Sequence, residues 1–198
     1  MIVAKRKPMA EIAEMVAPYK KVKIIGCRSC VAICLAGGEK EVKTLVSALR
    51  LKAKKEGRRQ EFEGLVVERQ CEKEWVEEVE DRIMDSDLVL SMACSLGAQT
   101  IGDMYPKKLV FPALNTGIFG VPEEQGVWSE KCVGCGNCII HTTGGICPIA
   151  RCAKSMLNGP CGGSSNGKCE VNLEVDCAWY AIHERLKLQN RLELIEQV

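Results

Sequence analysis

Apolar residues recur at two periods along this chain, and the changes between them predict alternating strands and helices. Over residues 38–56, Val42, Leu45, Val46 and Leu49 fall on one helical face and Gly57 supplies the stop. The basic end of this helix (Lys52, Lys54, Lys55, Arg58 and Arg59) suits a helix C-terminus and reads as a solvated face. A first helix is expected over residues 8–19, with Pro8 at its first position and Met9, Ile12, Met15 and Val16 on one side. Short apolar-centred runs read as strands: KVKIIGC (Lys21–Cys27), LVVERQC (Leu65–Cys71), LVLSMAC (Leu88–Cys94) and KLVFPAL (Lys108–Leu114). A helix turning Val76, Val79 and Ile83 inward separates the second run from the third. Strands alternating with helices of this length predict an α/β fold, a small three-layer domain on a parallel sheet with right-handed crossovers.

Beyond the fourth strand the periodicity fades. NTGIFGVPEEQGVW (Asn115–Trp128) is rich in turn residues and reads as a linker or surface loop. An irregular stretch follows, and the chain ends in WYAIHERLKLQNRLELIEQV, read as one helix. Trp179, Ile182 and Leu186 make one stripe on it, and Leu188, Leu192 and Ile195 make another offset from the first. The organisation expected is therefore a Rossmann-like α/β domain over residues 1–118 and a Cys-rich module with a C-terminal helix over residues 119–198.

Cysteine changes this picture most. The chain of 198 residues holds 13 cysteines, eight of them between Cys132 and Cys177. Cys132, Cys135 and Cys138 stand at CxxCxxC spacing, which lets one loop aim three sulfurs at a common centre, and Cys147 is followed directly by Pro148. Separated CxxC pairs are usual for zinc ribbons, whereas a CxxCxxC triplet with a remote Cys-Pro is usual for iron–sulfur loops. The match to the bacterial ferredoxin run is imperfect, because eight residues, not three, separate Cys138 from Cys147. Cys152, Cys161, Cys169 and Cys177 complete the set. Glycine is frequent throughout, leaving few apolar residues for a core, so metal is expected to hold these loops together.

The other five cysteines are Cys27, Cys30, Cys34, Cys71 and Cys94. Cys27, Cys71 and Cys94 each end an expected strand, and in a parallel sheet those ends share the edge where open α/β sheets hold ligands. Three thiols distant in sequence are thus expected to be close in space. Cys30 adds a CxxC partner to Cys27, and Cys34 lies one helical turn further on. Four of the five could ligate one cubane; the bland reading is that some are only buried strand-end residues.

Composition excludes several classes. A formal net charge of +1 gives no electrostatic case for nucleic acid or an anionic membrane. No apolar run approaches the roughly 18 residues that span a bilayer, and Glu11 and Glu14 interrupt any signal-peptide core, so a reducing cytoplasm is expected. There is no GxGxxG after a strand, no Walker loop and no Ser–His–Asp signature. His141 and His183 are the two histidines, and a backbone or solvent hydrogen bond suits His141 better than a ligand role. No catalytic residue and no flavin or folate site is expected. A thiol–disulfide site at Cys27 and Cys30 is a weaker reading.

The stretch from Cys132 through NGPCGGSSNGKCEV (Asn158–Val171) to Cys177 and Trp179 resembles the C-terminal domain family of methylenetetrahydrofolate reductases. With an α/β domain carrying GCRSC ahead of it, nearly the whole chain is similar to the small iron–sulfur subunits of those enzymes in acetogenic and related anaerobes. The resemblance implies a non-catalytic subunit of one-carbon metabolism (the Wood–Ljungdahl pathway) in a heteromeric complex. Its partner would be a TIM-barrel catalytic subunit that carries FMN and reduces 5,10-methylene-tetrahydrofolate to 5-methyl-tetrahydrofolate. Electrons would come from ferredoxin or another electron-donating complex. On this reading the cysteines hold three [4Fe–4S] clusters, one on four of the five early cysteines and two on the eight of the module, whose division stays open. The alternative is a zinc-stabilised scaffold that docks the flavoprotein, with zinc in at least one site.

Overall fold

The computed structural model describes residues 1–196. It divides into two compact units, Met1–Gly117 and Ile118–Val198.

The first unit begins with β1 (Ile2–Arg6), α1 (Met9–Val16), β2 (Lys21–Cys27), the single turn α2 (Cys30–Ile33) and the long α3 (Glu39–Lys55). It continues through β3 (Glu61–Val67), α4 (Lys73–Glu77), α5 (Glu80–Met84), β4 (Leu88–Met92), α6 (Ser95–Met104) and β5 (Leu109–Pro112). Four strands form a sheet of order β3-β2-β4-β5, and every pairing in it is parallel.

Strand alternation builds the three expected layers. Val22 and Ile24 of β2, with Leu88, Leu90 and Met92 of β4, face Ile12 and Val16 of α1 and Leu45, Val46 and Leu49 of α3. Ile25 and Val89 face the other way, onto Val76 of α4, Ile83 of α5 and Ile101 of α6. A central strand buried on both faces loses the polar half of its alternation, and all five residues of β4 are buried.

Several boundaries differ from the sequence reading. The second strand runs over Glu61–Val67 rather than to Cys71, because Phe62 and Val67 are its buried anchors. The helix expected after it is broken into α4 and α5. The segment read as a linker is instead most of a hairpin: β6 (Leu114–Glu124) pairs antiparallel with β7 (Val127–Cys132), Pro122 opposite Trp128. Its turn-like composition reflects an exposed hairpin, with Phe119 and Val127 each nearly half accessible. The first residues of β6 belong to the first unit, the remainder to the second.

After the hairpin, the second unit carries long irregular loops, the short α7 (Pro148–Arg151), α8 (Ala178–Leu188) and α9 (Glu193–Glu196). The expected single terminal helix is split where Asn190 turns to a φ of 53°; residues 197–198 of that reading lie outside the described residues. The split folds the second stripe back. Trp179, Ile182 and Leu186 form a small core, and Leu192 and Ile195 pack against it while Leu188 stays in solvent.

One backbone approach fixes the loop between α2 and α3. The Cys27 N–H donates to the Gly37 carbonyl at 3.0 Å, and a Cβ on Gly37 would sit 1.8 Å from the Met92 carbonyl oxygen. Only glycine fits there. Gly37→Ala should therefore cost about 1–3 kcal/mol, in line with overpacking elsewhere, read as a lower urea midpoint. Gly102→Ala, whose Cβ would meet open space, should leave that midpoint in place or raise it.

Candidate metal centres

In the first unit, strand order reverses at β2. The chain adds β3 on one side of β2, then crosses back to lay β4 on the other. Ligands of open α/β sheets sit at such a switch point, outside the carboxyl ends of the strands. Cys27 closes β2, and Cys94 immediately precedes α6 as its N-cap residue, just beyond β4. Gly26 is in register with Met92, so the two cysteines follow neighbouring positions across the switch.

Cys71 reaches the same place without being in a strand. It lies four residues past the end of β3, and the residue before it holds the turn. Gln70 is fully buried. Its side-chain amide donates to the carbonyls of Ile25 (2.6 Å) and Gly26 (3.0 Å), and its oxygen accepts from the Ser91 hydroxyl at 2.7 Å. Ser91 in turn accepts from the Ala93 N–H at 3.3 Å. One side chain thus ties the loop after β3 to both β2 and β4. Cys71 is exposed, yet partial desolvation pushes its thiol above the ordinary value, and the nearby Cys94 and Cys27 add to the rise by like-charge repulsion. The expectation that these three are neighbours agrees with this mutual electrostatic influence.

Cys34 is placed differently. It is buried, its sulfur donates to the carbonyls of Ala4 (3.5 Å) and Val31 (3.6 Å), and it receives the Ala4 N–H at 3.5 Å. Burial raises its thiol, an effect partly offset by backbone hydrogen bonds from Ala4, Cys34 and Ala36. Cys30, half-buried at the start of α2, keeps no such contact among those described, and Cys27 donates to the Glu68 carbonyl at 3.6 Å.

In the second unit, Cys132 ends β7 opposite Phe119. Cys135 and Cys138 follow in an exposed loop that turns at Gly134 (φ 67°) and Gly136 (φ 79°), conformations that glycine takes without strain. The Gly134 N–H points at the Cys132 sulfur at 3.3 Å. Cys147 immediately precedes α7, and α7 packs against β7.

The last four cysteines line one pocket together with Lys154, Glu170 and Trp179. Cys177 is the N-cap residue of α8. Burial opposes its ionisation, but the Ser164 hydroxyl and the N–H groups of Tyr180 and Trp179 outweigh it and hold the thiol below its ordinary value. The Trp179 indole N–H donates to the Met156 carbonyl at 3.0 Å, which closes the wall behind it.

Among the described residues no three His, Cys, Asp or Glu side chains are arranged to hold a metal ion as they stand. The thiols are neighbours, not a closed shell, and a shell of this kind is completed by the metal itself. The donor chemistry fits: soft sulfur ligands select zinc and iron–sulfur clusters over hard cations. His183 bonds the adjacent Glu184 at 3.0 Å, away from the lining of that four-cysteine pocket.

Residues 111–198 match the family model described as "Methylene-tetrahydrofolate reductase C terminal". The match makes residues 111–198 similar to that C-terminal family. It covers all of the cysteines from Cys132 to Cys177 and leaves most of the first unit outside. No curated protein and no solved structure matches the chain. No helix of the described residues is long and apolar enough to cross a membrane.

Gln70 is the site residue that the sequence reading missed; a buried-size polar residue immediately before Cys71 was its one available signal. Replacing it with alanine should leave the Ser91 hydroxyl and two strand carbonyls without their partner, at about 1–3 kcal/mol. Urea unfolding of Gln70→Ala against Ser91→Ala measures this, with Ser91→Ala the milder because Gln70 keeps its carbonyl contacts. Equal, negligible effects would contradict the stitching role.

Proposed function

We propose that this chain is the electron-transfer iron–sulfur subunit of a methylenetetrahydrofolate reductase complex. The observation that carries the reading is the coincidence of a methylenetetrahydrofolate reductase C-terminal match with two separate gatherings of thiols, one at the switch point of the sheet and one in the matched segment. Zinc alone would explain thiols in the loops, but a zinc ribbon does not call for three cysteines collected from three βα junctions.

In this reading the first unit holds one [4Fe–4S] cluster on Cys27, Cys30, Cys71 and Cys94. Cys34 is the spare thiol, because its sulfur is already engaged by the backbone of Ala4 and Val31. The module holds two more clusters on its remaining cysteines. Bound clusters of this type supply one-electron transfer at potentials tuned by hydrogen bonds to sulfur and by solvent exposure. The residues of this chain would hold the clusters and aim N–H groups at ligand sulfurs such as those of Cys132 and Cys177. Reduction of 5,10-methylene-tetrahydrofolate belongs to a partner catalytic subunit carrying FMN, and the electrons arrive from ferredoxin or a comparable low-potential donor complex.

Anaerobically purified protein should be brown and carry about twelve irons with matching sulfide, as three cubanes require. Dithionite-reduced protein should then reduce the flavin of added catalytic subunit in stopped flow. Colourless protein with stoichiometric zinc would instead support a scaffold that only docks the flavoprotein. Iron near four per chain would leave a single cluster and overturn the three-cluster reading.

A further inference from the structure

The eight cysteines of the second unit could divide between two centres in many ways, and in two-cluster ferredoxins the cysteine before proline serves the other cluster. The fold of this unit favours a different division. Lys168 is bridged to Asp176, backbone to backbone, and their side chains pair at 2.6 Å. That bridge draws the next residues together: the Cys169 N–H donates to the Val175 carbonyl at 2.9 Å, and the Cys177 N–H to the Gly167 carbonyl at 2.8 Å. Cys169 and Cys177 are therefore held on adjoining segments although eight positions separate them. Cys161 joins through Glu170, whose carboxylate accepts from its sulfur at 3.7 Å and also pairs with Lys154. Cys152 packs against the core formed by Cys177, Trp179, Ile182 and Leu186. One backbone bridge, one ion-paired carboxylate and one core contact thus bring four thiols to one pocket wall.

Cys147 is not among the residues lining that pocket. It sits at the opposite end of α7 from Cys152, and α7 packs along β7, the strand that ends at Cys132. Cys147 and Cys152 flank this four-residue helix as its N-cap and C-cap residues, so they leave it at opposite ends.

We propose that the module cysteines divide by chain order into two tetrathiolate metal centres, Cys132, Cys135, Cys138 and Cys147 in one and Cys152, Cys161, Cys169 and Cys177 in the other. The division rests on the iron–sulfur reading above only for the identity of the metal, which is one cubane in each. Arg151 and Lys154 line the four-cysteine pocket, Lys154 paired with Glu170.

The test uses the full chain, purified anaerobically, with Cys135→Ser, Cys147→Ser, Cys161→Ser and Cys169→Ser made singly. Iron, zinc and sulfide are quantified, and the remaining centres are recorded by EPR and Mössbauer spectroscopy. Cys161→Ser and Cys169→Ser should each lose one and the same spectral component, about a third of the iron. Cys135→Ser and Cys147→Ser should each lose a different one. If Cys147→Ser removes the component lost in Cys161→Ser, the division is overturned. Because a variant could fail to fold, the wild-type chain is also alkylated during stepwise metal removal by chelator and mapped by mass spectrometry. Thiols should become reactive in groups that keep Cys147 with Cys135 and Cys152 with Cys161; a group mixing Cys147 with Cys161 overturns the proposal. Zinc released with the group of Cys152 to Cys177 would uphold the division while refuting three clusters. Absence of any metal on these eight thiols would refute both.

Discussion

Parallel pairing of β2 with β3 on one side and β4 on the other is the constraint from which the chemistry of the first unit follows. Because all strands point the same way, their carboxyl ends share an edge. Because β2 sits at the reversal of strand order, α3 after it and α6 after β4 pack on opposite faces of the sheet, the arrangement in which open α/β sheets hold ligands. Hydrophobic burial on both faces, Ile24 and Leu90 on one and Ile25 and Val89 on the other, fixes that register. A slip of one residue would exchange the two faces. The thiols at the edge are therefore positioned by the core beneath them and not by their own interactions. The opposite end of the same sheet is ionic: Lys23 pairs with Glu63 and lies 3.6 Å from Asp85, while Asp87 accepts the N–H groups of Lys20 and Lys21 at 3.0 and 2.8 Å.

The second unit works on a different principle. Its apolar core is little more than Trp179, Ile182 and Leu186 with the residues that fold back from α9. Most of its chain is loop, and many of its larger apolar side chains, including Leu157, Val171 and Leu173, stand in solvent. Backbone bridges and ion pairs such as Lys168–Asp176 shape the loops, but such exposed pairs contribute little stability on their own. On the proposed reading, thiolate–metal bonds would supply what burial does not, and the unit's folding and its metal content would be one equilibrium.

Much of this arrangement was legible in the sequence, for physical reasons that differ from place to place. KVKIIGC marked β2 by its apolar centre, Val22, Ile24 and Ile25, whose side chains are buried on both faces of the sheet. The β3 boundary was misplaced because an edge strand is half exposed and Gly64, Glu61 and Glu63 mask its pattern. Cys71 nonetheless lies within electrostatic reach of Cys27 and Cys94, for a reason the strand pattern could not supply: Gln70 ties the loop after β3 to β2 and β4. The hairpin of β6 and β7 looked like a linker because its residues bury little. α6 went unread because only Gly97 and Ile101 are buried along it. The approach of Cys169 to Cys177 was illegible from spacing, because the Lys168–Asp176 bridge that sets it leaves no periodic signal.

The central claim is that one centre is assembled from three βα junctions of the first unit, with Cys34 left out. Mössbauer spectroscopy of 57Fe-enriched full chain tests it most directly, comparing Cys27→Ser, Cys71→Ser, Cys94→Ser and Cys34→Ser. The account predicts that the first three each erase the same iron component, and that Cys34→Ser retains every component. Retention of all components in the first three, or loss of that component in Cys34→Ser, would contradict it.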